Sequence, residues 1–410
     1  MLELNEYRED FPILKSGLVY LDSAASSLTP EQVLKKMLEY YREYRANTGR
    51  GVYRIADRAT SELEEARKSV AKLIDAREDE VAFVRNTSEG LNFVASSLKF
   101  KKGQNIVTTA IEHHSNFLPW LKISREKGLE LRIVNPTKDF LINTEDFEKQ
   151  VDDDTRVIAI AHISNVLGSI APVRDIVDIA HEHGSIVALD GAQSVPHIPL
   201  SVKKLGVDFL SFSGHKMCGP TGIGGFYVNP DVLNELEPIF VGGESVDRVS
   251  LHGYTLAKFP ASFESGTLPI AEAIGLGEAA RYLMKIGLEK IARNDERLIG
   301  LLYKMLSTIK GVKIYGPSQE KRNNLLSFNI GNLDPNDVAL FLDISSNIAV
   351  RSGFMCAQPL VKNLLKSKNG VVRASTYLYN TEKEIETLVG KIEKFYKMKM
   401  RKTSIGRKGS

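Results

Sequence analysis

The chain has 410 residues, of which 43% are hydrophobic and 26% charged, and its net charge is +3. Those values fit a globular protein of two or three domains and carry no nucleic-acid signature. No apolar run approaches the roughly 18 residues of a membrane span, and the acidic start, Met-Leu-Glu-Leu-Asn-Glu, is no signal peptide, so a cytoplasmic location is expected. Two cysteines, Cys218 and Cys356, are too few for a disulfide framework and are expected to be free thiols, a single bridge between them being the other reading.

Residues 1–20 read as an N-terminal arm, a short helix broken at Pro12. Residues 19–22 are strand-like and lead into a tract of small residues, Ser23 to Ser27. Thr29 and Pro30 give the cap chemistry of a helix start, with Thr29 at the N-cap, and that helix should run to about Arg45. A second amphipathic helix is expected over 58–75. From 81 to 228 strand and helix patterns alternate, with strands at 81–84, 105–109, 129–134, 156–162, 185–190, 207–212 and 223–228. Helices at 116–127 and 173–184 separate some of these. Alternation of this kind means an α/β fold with a mainly parallel sheet covered by helices on both faces.

After Gly242 and Gly243 the strand pattern stops. A long helix over 269–309, interrupted near Gly287, should link to a two-layer α+β unit. That unit has strands near 312–315, 325–330 and 371–374 and helices near 335–345 and 382–398. The expected division is an arm (1–20), a large domain (21–265), a linking helix with a small C-terminal domain (266–400) and a basic tail (401–410). The basic stretch 394–408 reads as a solvated terminus, with electrostatic docking as the other reading.

The chemistry concentrates between 211 and 225, Ser-Phe-Ser-Gly-His-Lys-Met-Cys-Gly-Pro-Thr-Gly-Ile-Gly-Gly. A lysine between two apolar strands is costly to bury as a cation. As a neutral amine it is a nucleophile toward carbonyls, so Lys216 reads as a Schiff-base lysine; a solvated turn lysine is the other reading. Three stretches favour the first. The strand 185–190 ends in Asp190, followed by Gly-Ala-Gln193, where parallel strands face a ligand crevice. Asn86-Thr87-Ser88 opens a helix after 81–84, a setting for an anion. Glu112-His113-His114 follows 105–109, and an imidazole there can stack on a ring. An amine, an acid, a stacking ring and an anion cradle are the parts pyridoxal phosphate needs. Adjacent histidines diverge and no acid or cysteine completes a set, so no metal site is expected.

With Ser213-Gly-His215-Lys216, Asp190-Gly-Ala-Gln193 and Glu112-His113-His114, the chain resembles the class V aminotransferase group of fold-type I pyridoxal-phosphate enzymes. Within it the chain is most similar to the group II, Suf-type, cysteine desulfurases and selenocysteine lyases; 351–357, Arg-Ser-Gly-Phe-Met-Cys-Ala, carries the desulfurase likeness. The resemblance implies a large domain with a seven-stranded sheet, a smaller C-terminal domain, and a homodimer with its active site at the subunit interface. It implies that Lys216 binds the cofactor covalently and moves protons. Asp190 pairs with the ring nitrogen, His113 stacks on the ring, and Gln193 bonds its phenolic oxygen. Thr87, Ser88, Ser213 and His215 hold the phosphate, and Thr267 reaches the phosphate of the partner subunit. Asn165 and Arg373 receive the substrate carboxylate, Cys356 takes the sulfur, and Arg351 anchors the cysteine loop or touches substrate. The activity implied is conversion of L-cysteine to L-alanine, with sulfur passed to an acceptor or scaffold protein for iron–sulfur or other sulfur-containing cofactors. Selenocysteine lyase, another lyase or epimerase on this scaffold, and a sulfur-relay protein without turnover are the alternatives. Family members often carry histidines just before the cysteine, whereas Phe354 and Met355 stand here.

Overall fold

The computed structural model describes residues 4–406. At its centre is a seven-stranded sheet. Its strands are β1 (Val81–Val84), β2 (Asn105–Thr109), β3 (Glu130–Val134), β4 (Thr155–Ala161), β5 (Ile186–Asp190), β6 (Phe209–Ser213) and β7 (Gly224–Val228). Their spatial order is β1-β7-β6-β5-β4-β2-β3. Only β7 runs against the others, as its antiparallel pairing with both β1 and β6 shows. All seven expected strands are present within two residues. The α/β fold expected from the alternation is the one observed.

Burial separates the middle of the sheet from its β3 edge. Every residue of β5 and β6 is buried, as in the middle of a parallel sheet covered on both faces. β3, at the edge, alternates Glu130 and Arg132 with apolar residues and is mostly exposed or half-buried, and charge on an edge discourages pairing with another chain. The carboxyl ends of β2, β4, β5 and β6 therefore gather on one side. Register there places Ala161 beside Asp190, and Asp190 beside Ser211.

Helices α1 (Glu31–Glu43), α2 (Arg54–Leu73), α3 (Thr87–Ser97), α4 (His114–Lys127) and α5 (Val173–Glu182) precede the long pair α6 (Ile270–Ile286) and α7 (Leu288–Ser307). The expected break at Gly287 is real: its φ of 94° is open to glycine and ends α6. The start of α1 differs from expectation. Pro30, not Thr29, holds the N-cap position, because the Thr29 hydroxyl instead donates to the Gly219 carbonyl across the lysine loop. Residues 5–16 form two short 3-10 turns on either side of Phe11.

Past Gly243 a hairpin appears that the sequence did not announce, β8 (Val246–Ser250) with β9 (Gly253–Leu256). Nearly all its residues are exposed, so no alternation of buried and solvated positions marks it. The C-terminal sheet is antiparallel, made of β10 (Val312–Tyr315), β11 (Leu325–Ile330), β12 (Arg351–Gly353) and β13 (Val371–Ser375), in the order β10-β11-β13-β12. Helices α8 (Pro335–Ser346) and α9 (Glu382–Gly406) pack beside it. The N-terminal segment joins this part: Val19 pairs with Ile348, Asp22 bridges Ser375, and Leu21 is buried among Leu326, Phe328 and Val372. Helix α9 carries the basic stretch to Gly406; the rest of the tail, 407–410, lies outside the described residues.

Helices α2 and α6 pack closely through small residues. A Cβ on Gly277 would lie 2.4 Å from Cα of Ala66, a backbone atom that cannot swing aside. Gly277→Ala should therefore destabilise the protein by about 1–3 kcal/mol, the cost of overpacking. Chemical denaturation checks this; a midpoint unchanged from wild type would mean the two helices separate freely.

Candidate active site

A cavity of about 640 Å³ opens at the carboxyl ends of the strands. It is lined by twelve of the thirteen site residues read from the sequence: Thr87, Ser88, His113, Asn165, Asp190, Gln193, Ser213, His215, Lys216, Arg351, Arg373 and Cys356 are all in its wall, and Thr267 alone is not. Thr267 is exposed and lines a separate surface hollow with Phe83, Arg85 and Phe240.

Lys216 ends a single 3-10 turn, Gly214–Lys216, directly after β6. Its side chain is open only partly, and its ammonium sits deep enough for burial to lower its pKa; Asp190 opposes that shift and Arg373 adds to it. Asp190, the last residue of β5, is buried, and burial raises its pKa against the opposing charge of Lys216. Its Oδ1 accepts from the Ala192 amide at 2.9 Å, which fixes the carboxylate at the strand end. The two groups are coupled, and the direction for the lysine is toward a neutral, nucleophilic amine.

The imidazoles around the pair are held neutral. His113 is driven down to about 3 by burial first, then by Lys216, His114 and Arg373. Its Nδ1 accepts the Ser115 amide at 3.0 Å, so the residue caps α4 and keeps its ring at the cavity wall. His215 is driven to about 4 by burial and then by Lys216.

At the other end, the first turn of α3 presents Thr87 and Ser88. A helix start carries unpaired N–H groups and the positive end of the helix dipole. The Thr87 hydroxyl and the Ser213 hydroxyl lie 2.7 Å apart, Ser213 Oγ also accepts the Thr87 amide at 2.9 Å, and Ser88 Oγ is 2.5 Å from Ser115 Oγ. Asn86 caps the helix by accepting the Glu89 amide at 3.1 Å. Gln193 donates to the Ala24 carbonyl at 2.7 Å, while its buried Oε1 has no protein partner.

The wall opposite comes from the C-terminal sheet. Arg373, on β13, is buried; it donates to the Asn165 carbonyl at 2.8 Å and to Asp22 at 3.3 Å, and its Nε has no protein partner. A guanidinium has five N–H groups, so donors remain for a carboxylate. Arg351, half-exposed at the mouth, pairs with the other oxygen of Asp22 at 2.9 Å. Asp22 thus orients both arginines, and sequence reading overlooked it, since its partners lie more than 300 residues away.

Strand β12 delivers Cys356, which is exposed at the cavity mouth. The Ala357 amide closes on the Phe354 carbonyl at 2.8 Å, making a tight turn whose central residues, Met355 (φ 52°) and Cys356 (φ 53°), are both left-handed. That region costs a side-chain-bearing residue about 1–2 kcal/mol. Contacts from elsewhere hold it: Asn165 Nδ2 donates to the Met355 carbonyl at 2.7 Å, and the His114 amide donates to the Cys356 carbonyl at 2.6 Å. Asn165 therefore binds the cysteine turn as well as facing the cavity. Cys218, by contrast, is fully buried, and burial raises its thiol pKa far above the usual range. Among the described residues no cluster of histidine, cysteine and acidic side chains is arranged to hold a metal ion.

The fold is that of fold-type I pyridoxal-phosphate enzymes, and the cavity fits that cofactor on its own evidence. A buried amine with lowered pKa faces a buried carboxylate, an imidazole wall lies near, Gln193 Oε1 lacks a protein partner, and hydroxyls gather at a helix start. A family profile described as aminotransferase class-V matches residues 19–388, and the chain belongs to that family. It is 45% identical to a probable cysteine desulfurase of Methanothermobacter thermautotrophicus, over 94% of this chain and 96% of that protein. It is 43% identical to a probable cysteine desulfurase of Halalkalibacterium halodurans, over 96% and 98%. Its fold superposes with a TM-score of 0.92 on the apo structure of the cysteine desulfurase from Thermococcus onnurineus NA1, at 42% identity and covering 96% and 98% of the two chains. CsdA of Escherichia coli, a cysteine desulfurase solved as an S-sulfonic acid, gives 0.90 at 31% identity, covering 97% and 99%.

One buried histidine beside the site carries a stability prediction. His162, next to the end of β4, donates its amide to the Asp190 carbonyl at 3.1 Å, and burial holds its ring at about 4. The unfolded chain protonates this residue near 6.5, so it binds a proton there that the native state refuses. Its contribution is fully present above pH 6.5 and is lost as pH falls toward 4. Against a His162→Gln variant, wild type should lose about 1.4 kcal/mol of relative stability per pH unit across that window. Denaturation at several pH values checks this; a constant difference would mean the ring protonates in the native state.

Proposed function

We propose that this chain is a pyridoxal-phosphate-dependent cysteine desulfurase that converts L-cysteine to L-alanine and receives the sulfur on Cys356. The observation that carries this reading is the position of Cys356: an exposed thiol on a held turn at the mouth of the cavity that contains Lys216 and Asp190. The family and the relatives named above support it.

When bound, pyridoxal phosphate supplies a carbonyl for amines and a ring that accepts the electron pair left at a substrate's Cα. The residues that would hold it are Lys216, Asp190, His113, Gln193, Thr87, Ser88, Ser213 and His215. Arg373 binds the substrate carboxylate through its remaining N–H donors, kept in place by Asp22 and by the Asn165 carbonyl. Lys216, with its pKa lowered by burial, takes the proton from Cα at Nζ and can return one. The Cys356 thiolate attacks the substrate sulfur. The S–S bond forms as the Cβ–S bond breaks, the bonding pair stays on Cβ, and protonation there completes alanine. The thiol proton and the substrate's own proton balance the products, alanine and a persulfide on Cys356.

A persulfide at an exposed position is accessible to a thiol of an acceptor protein, which would draw on it for iron–sulfur or other sulfur-containing cofactors. Thr267, exposed and outside its own subunit's cavity, suits a contact across a homodimer interface. No helix among the described residues is long and apolar enough to cross a membrane.

Cys356→Ala should keep the cofactor and bind cysteine, because Lys216, Asp190, Asn165 and Arg373 are untouched. It should fail to make alanine from cysteine, with a loss of at least about 10²-fold, since covalent capture has no substitute nearby. Cys218→Ala should form alanine at the wild-type rate. Alanine assays on both variants, with mass spectrometry of the Cys356 peptide for a persulfide, decide it. Full activity in Cys356→Ala, or the persulfide on Cys218, would contradict the assignment.

A further inference from the structure

His113 has an evident place in the site, but its neighbour His114 does not. His114 starts α4 and is half-buried between the cavity and a surface groove. Its two polar ends both reach the cysteine turn. The backbone N–H donates to the Cys356 carbonyl at 2.6 Å, and the ring Nε2 accepts the Gln358 N–H at 3.1 Å. One residue thus brackets the turn, on the carbonyl of Cys356 and on the amide two positions later. Since Nε2 accepts, it carries a lone pair, and the ring proton resides on Nδ1.

The turn needs such a bracket. Met355 and Cys356 occupy consecutive left-handed conformations without glycine, and such conformations persist only where the surroundings impose them. On the upstream side Asn165 holds the Met355 carbonyl. On the downstream side the side-chain contact is the His114 ring.

We infer that His114 is a positioning residue for the sulfur-accepting cysteine: its imidazole, as a hydrogen-bond acceptor for the Gln358 amide, holds the turn that presents Cys356 to the cavity. The role is one of geometry, not of proton transfer to the thiol. It rests on the reading of Cys356 as the sulfur acceptor, and its test does not depend on turnover. The acceptor atom is what matters, so glutamine, whose Oε1 reaches about as far as the imidazole Nε2, should replace histidine, and alanine should not.

The experiment measures the rate at which iodoacetamide labels Cys356 in the cofactor-loaded protein at fixed pH, followed on the Cys356 peptide by mass spectrometry. His114→Ala should change that rate by about three- to tenfold, the effect of one lost hydrogen bond. His114→Gln should stay within about twofold of wild type. A second variant guards against a folding artefact. Gln358→Pro removes the donor instead of the acceptor, and the φ of −57° at Gln358 already suits proline. It should label as His114→Ala does, and the double variant should be no further altered than either single one. Single-turnover formation of the Cys356 persulfide should fall in His114→Ala and recover in His114→Gln, with KM for cysteine little changed. Labelling in His114→Ala equal to wild type, His114→Gln as altered as His114→Ala, or additive effects in the double variant would overturn the inference. A wild-type protein that forms no persulfide on Cys356 would instead overturn the sulfur-acceptor reading, while the labelling comparison still decides the role of His114.

Discussion

An amine and a carboxylate share a buried site at the carboxyl ends of β5 and β6, and the rest of the site is arranged around that pair. Either charge alone would be expensive there, because removing one partner leaves an uncompensated ion in the interior. Together they are tolerated, and burial still biases Lys216 toward the neutral form that carbonyl chemistry requires. The parallel sheet makes this placement possible. Adjacent strands ending at one level bring Asp190 and the turn after Ser213 side by side, and helices on both faces keep water from the strands.

A second carboxylate organises the opposite wall. Asp22 arrives on the N-terminal segment, and Arg373 and Arg351 arrive on the C-terminal sheet. Without Asp22 two guanidinium groups would stand close together beside a lysine, all of one sign. With it, the arginines are oriented toward the cavity and the mouth, and the first residues of the fold are fastened to the last sheet. The cysteine turn hangs from the same sheet and is tied back to the central one through Asn165 and His114. The placement of Cys356 thus depends on contacts between distant segments, while the placement of Lys216 depends on two neighbouring strands.

That difference explains what the sequence made legible. Six of the seven central strands stand out because buried strands are apolar runs bounded by glycine, acid or hydroxyl residues, and the edge strand β3 by its alternation of charged and apolar residues. Lys216, Asp190, His113 and the Thr87–Ser88 helix start could be picked out because each follows such a run directly. Asp22 was passed over because nothing local distinguishes an acid after a short strand; only its partners, far along the chain, give it a role. The hairpin of β8 and β9 was missed for the opposite reason: it is exposed on both faces, so its pairing leaves no periodicity. β12 has three residues, too few for a pattern, although it carries the turn that holds Cys356. The resemblance to a known family supplied Cys356, Arg373 and Asn165, which no periodicity singles out, and the cavity brings all three to one place.

The central claim is that Lys216 is the amine that takes the cofactor, set there by burial beside Asp190. Reduction of the pyridoxal-phosphate-loaded protein with borohydride, followed by peptide mapping, tests this most directly. The account predicts a single stable pyridoxyl adduct on the peptide containing Lys216. An adduct on any other lysine, or no adduct in a protein reconstituted with the cofactor, would contradict it.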